Sequence, residues 1–155
     1  MWDAAADSID QHLVKELTYK VPQCFIETVT DILSNKNGNR KELDVLDLGC
    51  GTGLCGILFR DMASKLTGID LSPNMLAKAE ELGVYDRLVL GDITTELQKS
   101  QHAYDIILAA DVFIYVGELR PIFKTMAASL KPGGILAISL EAQDEPYASF
   151  VLRPS

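Results

Sequence analysis

The hydrophobic pattern of the chain changes period once, near Leu43. Before that point Ile9, Leu13 and Leu17 fall four apart with Val14 beside them, which predicts a first helix. Pro22 opens a second. Its buried face is expected from Phe25, Val29, Ile32 and Leu33, and residues 34–39, with Gly38, stop it. From Leu43 onward, short apolar runs are separated by helical stretches, the pattern of buried parallel strands joined by crossover helices. Strands are expected at 44–48, 66–69, 87–90, 105–109 and 135–140, with helices near 54–62, 73–82, 94–99 and 118–130. Pro73 sits at a helix start and Gly83 just past its end, and Lys131-Pro132-Gly133-Gly134 reads as a turn into the fifth run. The expected fold class is α/β, a Rossmann-like, doubly wound and mostly parallel sheet preceded by two helices.

Composition bounds this picture without changing it. With 155 residues, 48% of them hydrophobic, the chain can bury one core and is too short for two ordinary domains, so 1–155 is expected as a single domain. No apolar run reaches the roughly 20 residues that span a bilayer, and the start lacks the basic residues of a secretion signal, so the expectation is a cytoplasmic protein with no membrane partner. The three cysteines, Cys24, Cys50 and Cys55, form no CxxC pair and no disulfide framework; they are expected to be small buried residues, with no metal. A formal net charge of −8 with scattered basic residues argues against nucleic acid as a partner.

The chemistry concentrates at the ends of the expected strands. The first runs into Asp47-Leu48-Gly49-Cys50-Gly51-Thr52-Gly53 and then a helix, a stretch of bare backbone that lets a ligand approach the carboxyl edge of a sheet. Gly51, Gly53 and Gly56 also satisfy the G-x-G-x-x-G dinucleotide pattern. Register disfavours that reading, because Gly49 takes the place after the strand and Gly51 comes two residues late for a pyrophosphate. Asp47 adds a carboxylate that would repel two phosphates but suits a ligand carrying an ammonium and a sulfonium; alternatively it only ties down the loop through backbone amides. The second run ends in Gly68-Ile69-Asp70-Leu71-Ser72, where Asp70 can accept both hydroxyls of a ribose, although Asp70 fits the NAD spacing equally well. As a helix cap Ser72 is the better candidate of the two. The third run ends in Leu90-Gly91-Asp92-Ile93, where Asp92 is either an acceptor for an adenine amino group or a solvated turn residue.

Taken in order, Val45 to Gly53, Gly68 to Leu76, Gly91-Asp92, Tyr104 to Ile107 and Leu130 to Gly134 resemble the motifs of class I S-adenosylmethionine-dependent methyltransferases, over residues 43 to 140. Within that superfamily, His12-Leu13-Val14 through Tyr19 to Pro22, together with Ala110 to Gly117, is similar to the methyltransferase domains attached to tetratricopeptide repeats. The resemblance implies a strand order of 3-2-1-4-5-7-6 and S-adenosylmethionine as cofactor. It also implies that Asp47, Gly49, Cys50, Gly51 and Gly53 lie around the methionine portion, Asp70 on the ribose, Leu71 and Met75 on the adenine faces, Asp92 and Ile93 on the adenine edge, and a carbonyl of Ala109 or Ala110 on the methionine ammonium. Met75 fits an ordinary core position equally well, since Leu76 and Ala79 are apolar at helical spacing.

Methyl transfer from a sulfonium is an in-line displacement for which alignment and desolvation supply much of the catalysis, so no acid–base pair is required in principle. The catalytic residue is left unassigned. His12, Tyr19 and Tyr115 are the thin candidates, each more ordinary as a solvated or packed side chain. Residues 109–112 read Ala-Ala-Asp-Val and lack the Asn/Asp-Pro-Pro-Tyr/Phe motif that resembling enzymes use on exocyclic base amines. A small-molecule acceptor is therefore expected, a protein side chain next. Residues 1–42 are expected as a helical lid, 43–140 as the cofactor-binding core and 141–155 as a truncated tail too short for the last two strands. That leaves an apolar fifth-strand edge for further chain or a second copy to cover. Two other readings stay open: a non-catalytic S-adenosylmethionine-binding module and an NAD-dependent oxidoreductase domain.

Overall fold

The computed structural model describes residues 19–35, 42–113 and 118–140. The expected first helix and the tail at 141–155 lie outside them. Helix α1 (Val21–Asn35) is followed by β1 (Leu43–Leu48), α2 (Leu54–Phe59) with a 3-10 turn at Arg60–Met62, β2 (Ala63–Asp70), α3 (Pro73–Glu81), β3 (Arg87–Leu90), α4 (Ile93–Leu97), β4 (Tyr104–Ala109), α5 (Arg120–Ser129) and β5 (Leu130–Ile138). The strands form a five-stranded sheet in the order β3-β2-β1-β4-β5. Every neighbouring pair is parallel. This is the Rossmann-like alternation expected, with the order reversing between β1 and β4.

Alternate side chains on the central strands enter two separate cores, which is why their apolar runs are continuous. Val45, Leu66, Ile106 and Leu108 pack with Phe25, Val29 and Leu33 of α1 and with Cys55 and Phe59 of α2. Leu46, Leu48, Ile69, Ile107 and Ala109 pack on the opposite face with Leu97 of α4 and Ile122 and Met126 of α5. The helix ends follow local chemistry: the Ser72 hydroxyl caps α3 by accepting from Met75 N, Pro73 opens that helix, and Gly83 takes the left-handed conformation past its end.

Five expectations need correction. Ile32 does not join the buried face of α1 but is 37% exposed, because the row at Phe25, Val29 and Leu33 meets the core and Ile32 turns off it. Cys24 is exposed, on the solvent side of the same helix, whereas Cys50 and Cys55 are buried as expected. The first crossover helix of the expected pattern, 54–62, stops at Phe59 and tightens into the 3-10 turn. Lys131 to Gly134 is not a turn before the fifth strand but lies within it, as a bulge between the pairs Tyr104↔Leu130 and Ile106↔Ile135. Gly134 permits this because its backbone approaches Asp105 O so closely that a Cβ would stand 3.0 Å from it. Leu140, placed in the fifth run by pattern, lies beyond the strand and is 55% exposed.

Candidate functional site

Parallel pairing aligns the carboxyl ends of β2, β1 and β4 along one edge, with Leu48 opposite Ile69 and Asp47 opposite Leu108. The glycine loop crosses this edge directly after β1. It is held down by Cys50 N donating to Ile69 O (3.0 Å) and by Gly53 N donating to Cys50 O (2.9 Å). Gly49 has φ +62°, and a Cβ there would stand 2.7 Å from Val112 Cγ2, so both backbone and space demand glycine. Gly51 has φ +53° with nothing within 4 Å of its Cβ direction: the loop opens to space at that residue.

Asp70, at the end of β2, anchors the loop. Its Oδ2 accepts from Gly51 N and its Oδ1 from Ser72 N, both at 2.8 Å. Each carboxylate oxygen keeps a further lone pair for another donor. Asp70 O accepts from Gly91 N (3.0 Å), which brings Gly91 and Asp92 alongside. Asp92 is exposed and caps α4, its Oδ1 taking both Thr95 N (2.9 Å) and Thr95 Oγ1 (3.0 Å). Among the apolar neighbours Leu71 is 68% exposed and Leu90 is 59% exposed, whereas Met75 is buried at 6%. Ile93 is half-buried, Ala109 buried and Ala110 half-buried at the end of β4.

Asp47 does not tie down the loop amides, a role that falls to Asp70. It is 1% exposed, and its Oδ2 accepts the Tyr85 hydroxyl at 2.7 Å. Burial pushes its carboxyl up to about 7, the Tyr85 hydrogen bond opposes that rise, and the charge of Asp70 adds to it. The Tyr85 hydroxyl is driven upward by burial first and Asp47 next, so it stays a proton donor. The Cys50 and Cys55 thiols are likewise raised, mainly by burial and then by Asp47, which leaves them protonated and poor nucleophiles.

Tyr85 is the residue that sequence reasoning missed. Its ring lies on a bed of glycines: a Cβ at Gly56 would come within 2.4 Å of it, at Gly68 within 2.9 Å and at Gly53 within 3.2 Å. Gly56, which completed the dinucleotide pattern in the sequence, is therefore explained by a packed tyrosine rather than by a pyrophosphate. A carboxylate inside an apolar strand did signal that some buried donor must exist; only the fold identifies it.

Of the weak catalytic candidates, His12 and Tyr115 lie outside the described residues. Tyr19 is half-buried and its hydroxyl hydrogen-bonds Asp111; burial, then that bond, raises it, so it is no base at neutral pH. Asp111 follows β4 with φ +55°, its Oδ1 accepting from Ser139 Oγ at 2.6 Å. Among the described residues no group of three His, Cys, Asp or Glu is placed to hold a metal ion, and no helix is long and apolar enough to cross a membrane.

Over residues 45–134 the chain matches the family described as "Methyltransferase domain". It is 36% identical over 114 residues to a ribosomal protein L11 methyltransferase of Shewanella pealeana, covering 69% of this chain and 37% of that protein. It is 29% identical over 122 residues to a malonyl-[acyl-carrier protein] O-methyltransferase of Acetivibrio thermocellus, covering 77% of this chain and 42% of that one. Among solved structures, an S-adenosylmethionine dependent methyltransferase from Mesorhizobium loti superposes with a TM-score of 0.52 at 30% identity, covering 70% of this chain and 51% of that chain. The chain thus spans about half or less of the length of these relatives.

Proposed function

The chain belongs to the methyltransferase domain family, and on that premise we propose that it transfers a methyl group from S-adenosylmethionine to an acceptor bound beside the glycine loop. The cofactor of the family is S-adenosylmethionine. The observation that carries the reading is the opening of the loop at Gly51, flanked by Asp70 and Asp47 at the ends of adjacent strands. In this proposal Asp47, Gly49, Cys50, Gly51 and Gly53 surround the methionine portion, with Ala109 or Ala110 offering a carbonyl to its ammonium. Asp70 accepts the ribose hydroxyls, Leu71 and Met75 pack the adenine, and Asp92 and Ile93 meet its edge. The exposure of Leu71, 68%, supports its part, because an apolar side chain left in water gains by covering a ring. Cofactor binding there would align the sulfonium for an in-line attack: the acceptor–carbon bond forms as the carbon–sulfur bond breaks, and S-adenosylhomocysteine leaves with the electron pair.

The acceptor we propose is a small molecule, with a protein side chain second. The relatives' names include a ribosomal protein in one and a malonyl group carried on an acyl-carrier protein in another. Net charge −8 argues against nucleic acid. The placement among tetratricopeptide-associated domains, the helical lid at 1–42 and a second copy against the β5 edge belong to the same proposal, supported by the residue patterns at 12–22 and 110–117 and by the apolar fifth strand. Isothermal titration with S-adenosylhomocysteine and NAD tests the cofactor; binding of NAD alone would overturn the reading. Release of S-adenosylhomocysteine from S-adenosylmethionine, with a panel of amine, carboxylate, hydroxyl and peptide acceptors, then tests turnover, and binding without release across that panel would leave the chain a binding module.

A further inference from the structure

Asp47 is the one carboxylate of the candidate site shut away from water, and its described hydrogen-bond donor is a phenol rather than a backbone amide. That phenol comes from the turn between α3 and β3, a different segment from any that forms the loop. Its ring is fixed in place, since Gly53, Gly56 and Gly68 leave it a close-fitting bed. A hydroxyl on a ring that cannot swing away is a pre-set donor, which favours the charged form of the acid beneath it.

Resting on the cofactor reading above, we propose that Tyr85 is a positioning residue of the cofactor site. Its hydroxyl, 2.7 Å from Asp47 Oδ2, keeps a buried carboxyl able to ionise beneath the glycine loop, so that a cationic ligand above the loop meets a negative charge. Tyr85 acts through Asp47 and not by touching the ligand.

The groups around Asp47 make this role specific. Asp70 at the end of β2 opposes ionisation by like charge. Cys50 in the loop, Cys55 on α2 and Tyr19 before α1 all feel Asp47, and all are raised, so they stay neutral. Of these neighbours, Tyr85 alone is a hydrogen-bond donor that holds the Asp47 carboxyl down. With that carboxyl at about 7 before binding, a sulfonium and an ammonium arriving nearby should ionise it. Binding then releases a proton, and affinity rises with pH until Asp47 is already charged.

The test is titration calorimetry of the full chain with S-adenosylmethionine from pH 5.5 to 9, in pairs of buffers of different ionisation enthalpy, for the wild type, Tyr85→Phe and Asp47→Asn. The wild type should release about half a proton near pH 7 and bind more tightly as pH rises through that value. Tyr85→Phe keeps the ring and loses only the donor; its proton release and affinity profile should move up by about one pH unit, with roughly fivefold weaker binding at pH 7 that recovers by pH 9. Asp47→Asn should release no proton, and adding Tyr85→Phe to it should leave the flat profile unchanged. A merely structural tyrosine would weaken binding equally at every pH, and that result would overturn the proposal. So would a proton release that persists in Asp47→Asn, which alone decides the matter should Tyr85→Phe not fold. Failure of the wild type to bind S-adenosylmethionine at any pH would instead remove the cofactor reading, and this inference with it.

Discussion

The two ends of the sheet both carry aspartates, yet they treat them differently. At the amino end, Asp44 in β1 and Asp105 in β4 share one cation: Lys131 Nζ lies 2.6 Å from Asp44 Oδ2 and 2.8 Å from Asp105 Oδ2. Asp105 Oδ2 also accepts from Asp44 N at 2.9 Å, which ties the two strands together. At the carboxyl end the partners shown for Asp47, Asp70 and Asp92 are uncharged, namely a phenol, backbone amides and a threonine. Neutral donors satisfy lone pairs without cancelling charge. One end therefore uses its carboxylates to hold strands, and the other keeps a negative field where the loop opens.

This contrast can be broken or sharpened by mutation. The largest effect is expected from Asp70→Ala, which removes an anchor of Gly51 as well as the ribose acceptor of our proposal. S-adenosylhomocysteine affinity should fall 10- to 100-fold, the ~1.5–3 kcal/mol of a charged hydrogen bond, read by calorimetry; unchanged affinity would take Asp70 out of the site.

Asp47→Asn should cut S-adenosylmethionine affinity by roughly tenfold above pH 8, where the wild-type carboxyl is charged. It should act oppositely on the unliganded fold. The folded carboxyl is raised to about 7 from an ordinary value near 3.8, so its contribution to stability is full below pH 3.8 and is lost as pH rises through 7. Denaturant melts between pH 4 and 8 should therefore show a decline in the wild type that is flattened in Asp47→Asn. A decline that survives the substitution would mean another group titrates.

At the amino end, Lys131→Met should cost about 1 kcal/mol in a urea melt, the discounted value for a partly exposed ion pair, and less in high salt. Cofactor affinity should not change; if it does, the two ends are coupled and the contrast fails. The smallest effect is expected from Asp92→Ala, which loses the α4 cap at about 0.5–1 kcal/mol. A several-fold loss of S-adenosylhomocysteine affinity beyond that, at unchanged overall fold by circular dichroism, would support an adenine contact for Asp92.

Much of this was legible without coordinates, for reasons that differ by element. The central strands β1 and β4 could be read because parallel strands buried on both faces must be apolar throughout, and 44–48 and 105–109 differ from the observed strands by one residue each. The fifth strand was cut short because Pro132, Gly133 and Gly134 look like a turn; in the sheet they form a bulge that a parallel neighbour tolerates. The aspartates at 47, 70 and 92 were visible as strand-end carboxylates, but their partners were not. Asp70, not Asp47, proved to hold the loop amide, since that depends on how β2 lies beside β1 and not on spacing along the chain.

The sequence by itself determined the α/β alternation, the position of the bare-backbone bend and the identity of the acids beside it. Those are properties of local pattern, period and residue chemistry, which need no distant neighbour to be defined. Only the tertiary structure decided that residue 85, 38 positions away, meets Asp47, that Gly56 serves a tyrosine ring, and that Lys131 bridges two carboxylates at one end of the sheet while those at the other have uncharged partners. Hydrogen bonds and charge pairing act over a few ångströms of space, and folding brings together residues whose separation in sequence carries no sign of it.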